Sequence, residues 1–493
     1  MTESELRCLY RRYNLTGLLE AINHESLKIA RNEESAHIGF QYMEIERMIP
    51  YTKMSVKQMM IITAWDLIDM AYHAIMYTNE NRGKGSITDN ELMYLYSADE
   101  VYRETQSHNT HAIITGTNHF DFYLWGFCGE QLRFQKTAYA LQNAARDMYI
   151  LLDMAPRIGF TGIEKAICEE TGCSWQAIVA TLFVVWAGFT QGNEMPCIQN
   201  SIKWDEEYTQ DLFQTVICRY ASTYKEIRAS EYGRQIFYTK PYIITEKGII
   251  GINTFLNLFA YEHCLLWVLR DYYRKRNSQQ FAIEFGEMYE EYLRELYENN
   301  VGQGKYNKIK RSNKKKRADW SLRLFDYSFL IEQKASLIGL SVKQQDTNFA
   351  SMEKYAQNTI MKAMRQLKET EQEFEKEYIK IILLYEDYLK PEILDKVFLL
   401  PECDIMNDHR YWLMTIQEME ELLYQYSHNP ELCLQIINEK IKRENGEIPP
   451  GRGKGFDTLF LEFDVEIGGI FEQQKLQYYE LYAQQYLSKR LKS

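Results

Sequence analysis

The residues whose types and spacing suit a reaction lie in one short stretch, ADWSLRLFDYSFLIEQKASLIGL, residues 318–340. Asp319 opens an apolar run, a turn falls near Asp326-Tyr327, and a second apolar run, Phe329 to Ile331, leads directly into Glu332-Gln333-Lys334. Read as a β-hairpin, the first strand carries Asp319 and the second carries Glu332 and Lys334. Side chains two apart on a strand share a face, so Glu332 and Lys334 point the same way. Two carboxylates and an ammonium then converge at one sheet edge. Oxygen ligands of this kind suit a hard cation, Mg²⁺ or in its place Mn²⁺, and a neighbouring Lys orients or activates an attacking water. The plainer alternative is a solvated charge pair on a strand. Against it, Glu332 ends an apolar strand with Leu330 on its own face, where an uncompensated carboxylate is costly.

These residues need elements to hold them. Upstream, SQQFAIEFGEMYEEYLRELYENN reads as a helix with Phe285, Tyr289, Tyr292 and Leu296 in one apolar stripe. Gly286, Glu290 and Leu293 lie on the adjacent face, where the glycine permits a close approach and Glu290 points inward. Residues 305–317, KYNKIKRSNKKKR, carry Lys305, Lys308, Lys310, Arg311, Lys314, Lys315, Lys316 and Arg317 and no acid. In a chain of net charge −12 such a run suits a phosphate backbone; the alternative is a flexible solvated loop. Downstream, residues 348–380 read as one long polar helix or two. IILLYEDY (381–388) and DKVFLL (395–400) read as strands, and HRYWLMTIQEMEELLYQY (409–426) as a strand entering a helix. Further back, RQIFYTKPYIITEKGIIGI alternates around Glu246-Lys247-Gly248 and reads as a hairpin. From residue 236 the order is therefore hairpin, helices, hairpin, helix, strand, strand, helix, which predicts an α/β sandwich with a mixed sheet.

The first 235 residues read as mostly helical, with apolar periodicity in LRCLYRRYNLTGLLEAIN, VKQMMIITAWDLIDMAYHAIM and QLRFQKTAYALQNAARDMYILLDMA. TGIEKAICEETGCSWQAIVATLFVVWA has helix-turn-helix spacing around Thr171-Gly172. Its second helix is apolar nearly all round and offers no array of base-reading side chains beyond Gln176, so bundle packing is the expected role. The apolar window 177–189 is too short to span a bilayer and predicts a buried helix.

At 493 residues the chain has room for two or three domains. Apolar residues make up 45% and charged residues 26%, which predicts a packed chain and argues against disorder. The acidic balance excludes a general basic nucleic-acid coat, so any such contact must be local. Nine dispersed cysteines, with CEETGC as the closest pair, suggest free thiols in a cytoplasmic setting, and the N-terminus lacks the apolar core of a signal peptide. No GxxxxGK[ST], HExxH or GxSxG occurs, and His108, His111 and His119 lack companion ligands.

Over roughly residues 240–420 the sequence resembles the PD-(D/E)xK nuclease superfamily, the restriction-endonuclease-like fold. FGEMYEEYL (285–293) is similar to the family's first core helix, with its acidic position at Glu290. Asp319, then twelve residues, then Glu332-Gln333-Lys334 resembles the Asp…Glu-x-Lys signature, and KAMRQL (362–367) resembles the second-helix motif, with Gln366 behind the site. The sequence departs from the pattern at Ala318, where the family has Pro, and at Thr370, where the RecB-like subgroup has Tyr. The resemblance implies a metal-dependent DNA endonuclease of the anti-phage defence or restriction kind. Asp319, Glu332 and the Gln333 carbonyl would hold the metal, Glu290 would complete its shell, and Lys334 would serve the water. It implies a helical target-selection or partner-binding domain at 1–235, the nuclease domain at 236–430 and a helical extension at 431–493. DNA is the expected partner, with RNA open, alongside a homodimer or a second protein, and no membrane. A different class also stays open: a nucleic-acid-binding or assembly subunit on an inactive nuclease fold.

Overall fold

The first helix, Glu3–Tyr10, starts at a capping box in which Thr2 and Glu5 exchange backbone and side-chain hydrogen bonds. In the computed structural model, which describes residues 1–30, 45–48, 55–58, 64–80, 82–114, 140–190, 213–245, 248–276, 280–310, 317–335, 356–374, 376–385, 410–447, 454–469, 485–486 and 488–489, the chain then breaks before Leu15–Ala30. The helical periodicity read over residues 6–23 is divided between two helices, because Asn14 Oδ1 accepts the Gly17 amide at 2.8 Å and so begins a new helix. A second departure follows. Ile45–Met48 (β1) pairs antiparallel with Ser55–Gln58 (β2), so the first residues of the helix expected from Val56 are strand, and the described helix is Ala64–Tyr77. The strand partner lies upstream of that window, so the periodicity of 56–76 alone carries no trace of the pairing.

The predicted hairpin around residue 246 is present as Tyr242–Thr245 (β4) and Gly248–Gly251 (β5), with Ala221–Thr223 (β3) added in parallel on the other side of β4. Gln235–Tyr238, expected to extend the first strand, instead belongs to a 3₁₀ segment, Gly233–Tyr238. This three-stranded sheet is separate from the larger one that carries the site. Ile243, Ile250 and Phe255 pack with Leu6, Tyr10, Leu18, Leu67 and Leu95 in one core.

The larger sheet has the order β10-β9-β8-β7-β6: Tyr411–Thr415 (β10), Ile379–Leu384 (β9), Tyr327–Lys334 (β8), Trp320–Leu324 (β7) and Tyr306–Lys308 (β6). β6, β7 and β8 are antiparallel, whereas β8, β9 and β10 are parallel. The predicted hairpin therefore forms, with its tight turn at Phe325-Asp326, one residue earlier than read. Phe325 there has φ 52°, the left-handed conformation that such short connections require. Part of the basic run, Tyr306–Lys308, is strand β6. The expected strand at 395–400 lies outside the described residues. The polar helix of 348–380 is present as a π-helical turn, Ala356–Met361, leading into Lys362–Phe374, and its last two residues belong to β9.

Alternation divides the sheet's faces. Trp320, Leu322, Leu324, Phe329, Ile331, Ile381 and Leu383 share one core with Phe285, Tyr289, Tyr292 and Leu296 of the helix Gln280–Asn300. Leu330, Ile382 and Leu384 are equally buried on the opposite face, against the helix Lys362–Phe374 with Ala363, Met364 and Leu367. Each such aliphatic side chain contributes roughly 1.5–3 kcal/mol on burial. The core behind the first face also takes in Met148, Ile150 and Leu151, Ile178 and Leu182, and Leu265 and Leu269. Helices from the first half of the chain thus pack beneath the sheet. The described residues are a mixed α+β structure with open sheets, and no helix among them is long and apolar enough to cross a membrane.

Candidate active site

The register of the hairpin decides which charges meet. Trp320 pairs with Ile331, so Asp319, one residue earlier, falls on the face of Glu332 and Lys334, toward the helix Lys362–Phe374. Its amide donates to the Ile331 carbonyl at 3.0 Å, and its Oδ2 accepts the Gln333 amide at 3.0 Å. The carboxylate is thereby pinned across the end of the β7–β8 ladder. The Gln333 side chain points to the other face, where its Oε1 accepts the Trp320 indole N–H at 2.8 Å and its Nε2 donates to the Gly286 carbonyl at 3.5 Å.

Glu332 is almost wholly buried, with 3% of its surface exposed. Lys334 Nζ donates to its Oε1 at 2.6 Å and to Gln366 Oε1 at 3.3 Å. Gln366 Nε2 in turn donates to the Arg317 carbonyl at 3.2 Å, which fixes the amide with its oxygen toward the lysine. Thr370, one helical turn on, accepts the Ala318 amide at 2.8 Å and donates to the Gln366 carbonyl. The segment Arg317–Asp319 is therefore fastened to the helix Lys362–Phe374 from two positions. The other oxygen of Glu332, Oε2, is buried without a hydrogen-bond donor. Burial first, and the Asp319 charge second, push the Glu332 carboxyl up to about 8, with Lys334 pulling it back.

This donor set fits a hard divalent cation. Two carboxyls face each other; the raised Glu332 group shares a hydrogen bond with Asp319, and a divalent cation would take the place of that proton. Among the described residues no group of three or more His, Cys, Asp or Glu side chains is gathered for a metal, so Asp319 and Glu332 would share the shell with backbone oxygen and water.

The structure brings together Asp319, Glu332, Gln333, Lys334 and Gln366. Glu290 is placed differently: it forms an ion pair with Lys308. Lys308 lies across from Trp320 in the register and 5.8 Å above its ring, so this pair sits on the face opposite Glu332. The basic run is divided as well. Lys305 donates to Tyr426 Oη at 2.9 Å and Arg317 pairs with Glu373 at 2.7 Å. Lys310 is exposed, and Arg311, Lys314, Lys315 and Lys316 lie outside the described residues. Sequence reading did not identify Trp320, and it noted Thr370 only as a departure from the family pattern, without a role. Thr370 was within reach, since it stands four residues after Gln366 and so on the same helix face.

A second polar group lies behind the site, in the core. Arg146 is fully buried and bidentate on Glu420, through Nε at 2.5 Å and Nη2 at 2.6 Å. Tyr292 donates to the same carboxylate at 2.5 Å. Beside it, Asp147 accepts the Tyr385 hydroxyl at 2.5 Å on Oδ1 and meets His263 Nδ1 at 2.9 Å on Oδ2. Its carboxyl is raised by burial, against which His263 and Tyr385 act. These partners are separated by more than a hundred residues, and no local pattern marks them. The two helices Ile163–Thr171 and Trp175–Thr190 are present, and Ala177, Ile178 and Leu182 of the second are core residues, in keeping with bundle packing.

Comparison with protein-family models, with curated proteins and with solved structures yields no match.

Proposed function

We propose that this chain is a divalent-metal-dependent nuclease that hydrolyses DNA phosphodiester bonds on a restriction-endonuclease-like module. The observation that carries the reading is the buried Glu332 carboxyl, facing Asp319 and flanked by Lys334. A buried carboxylate pair with an ammonium beside it is costly to maintain for stability alone, and perturbed carboxyls cluster at functional sites.

Asp319 and Glu332, with the Gln333 carbonyl, would hold Mg²⁺ or Mn²⁺. When bound, the cation supplies Lewis-acid stabilisation of charge on the phosphate. Asp319 enters the reaction already oriented by the Gln333 amide, so little reorganisation remains. Lys334, held between Glu332 and Gln366, places a positive charge and a donor beside the reacting phosphate and orients the attacking water. Gln366 accepts a second hydrogen bond from the lysine and so helps fix its direction. Lys310 and the lysines at 314–316 would contact the backbone without sequence preference. Glu290, paired with Lys308 beside Trp320, supports the edge strand β6 rather than the metal.

The test is supercoiled plasmid and labelled single- and double-stranded DNA and RNA, incubated with Mg²⁺ or with a chelator. Wild type cleaves DNA only with the metal; Asp319→Ala and Lys334→Ala fall by at least about 100-fold, the usual contribution of such a group. Cleavage by both variants at the wild-type rate overturns the assignment. Metal-independent, salt-sensitive binding without cleavage supports the inactive binding module instead, and preference for RNA redirects the substrate.

A further inference from the structure

We propose that Tyr385 is a positioning residue for Lys334 and that Asp147, from the helix Ala140–Met148 in the first half of the chain, holds it there. This rests on the reading of Lys334 as an active-site group. Lys334 is the last residue of β8, paired with Leu384, the last residue of β9. A strand end frays unless something beyond it closes the ladder. Here the closure is the Tyr385 amide, which donates to the Lys334 carbonyl at 3.1 Å. Tyr385 is itself fully buried. Its hydroxyl is tied to Asp147, and its ring stands edge-on to Phe285 at 4.9 Å and Tyr289 at 5.0 Å. Those two aromatics bracket Gly286, whose carbonyl receives the Gln333 side chain. One residue thus braces both sides of the site, the backbone of Lys334 and the helix turn that props Gln333.

Asp147 is in turn fixed. His263, at the junction of the helices Thr254–Glu262 and Cys264–Lys275, takes its second oxygen. Arg146, its neighbour, is locked to Glu420 on the helix that follows β10. The helix Ala140–Met148 therefore cannot shift without moving the end of β9. The consequence is that the nuclease module is incomplete without this helix: the first half of the chain supplies part of the site's support, in addition to any role in choosing a target.

The test uses the full-length chain with three variants. Tyr385→Phe removes only the hydroxyl and keeps the ring packing; Asp147→Asn keeps an acceptor for it; Asp147→Leu removes it. Amide exchange without metal is read over residues 327–335 and, as a control, over residues 3–30. Tyr385→Phe and Asp147→Leu speed exchange at 327–335 by about 10-fold, the net worth of one hydrogen bond, with the control unchanged and Asp147→Asn near wild type. In cleavage assays the same two variants lower kcat by about 10-fold with KM for DNA unchanged, and Tyr385→Phe adds nothing in a Lys334→Ala background. Unaltered exchange at 327–335, or a kcat loss that adds in full to that of Lys334→Ala, overturns the proposal. If Lys334→Ala itself cleaves like wild type, the nuclease reading is what has failed, and the exchange result alone decides the Tyr385 tether.

Discussion

Glu332 offers a test that needs no substrate. Its carboxyl ordinarily loses its proton at 4.5, and in the folded chain it does so only at about 8. Between these values the native state keeps a proton that the unfolded chain has released. The native state binds more protons, so stability falls as pH rises through this window. At 1.36 kcal/mol per pH unit the full gap is about 5 kcal/mol, and relaxation around the buried charge leaves on the order of 2–5 kcal/mol. Glu332→Gln puts a neutral amide where the protonated carboxyl stands and abolishes this dependence. In chelator, the variant and wild type should have similar Tm at pH 5. The variant should then gain steadily, by about 2–5 °C at pH 8.5, on the unfolding entropy expected for a chain of this size. The assay is calorimetry or thermal unfolding in half-unit pH steps. A Tm difference that stays flat from pH 5 to pH 8.5 refutes the buried, proton-holding Glu332 on which the site is built.

The metal gives the converse. A cation needs the carboxylate form of Glu332, so Mg²⁺ should raise the wild-type Tm more at pH 8.5 than at pH 6.5, with no such rise in Glu332→Gln. Thr370→Val leaves the buried Ala318 amide without its acceptor, a loss of about 1–3 kcal/mol measurable by chemical denaturation, and loosens the segment that carries Asp319. Arg146→Ala strands the buried Glu420 carboxylate and should cost about 3–5 kcal/mol by the same measurement. Replacing Lys314, Lys315 and Lys316 together with Gln should weaken DNA binding across all sequences. It should also flatten the dependence of log affinity on log salt by as much as about 2.7, if each contacts a phosphate.

The hairpin and the shared face of Glu332 and Lys334 were legible because strand alternation is a property of the local chain. The helix stripe at Phe285, Tyr289, Tyr292 and Leu296 was legible for the same reason, and all four side chains are in the core. What escaped sequence reading was strand pairing and sheet membership. The pairing of β1 with β2, the addition of β3 beside β4 and the incorporation of Tyr306–Lys308 as an edge strand each depend on residues outside the stretch whose pattern was read.

The sequence by itself determined the chemistry on offer: two carboxylates, an ammonium and an amide, at spacings that a hairpin and the following helix bring to one face. Tertiary structure decided the rest. Burial pushes the Glu332 carboxyl up to about 8, a shift whose size depends on what packs around the residue and not on its neighbours in sequence. Register sent Glu290 to Lys308, on the opposite face. The fold also carried Asp147 across 238 positions to the hydroxyl of Tyr385, a contact that only the closed core specifies.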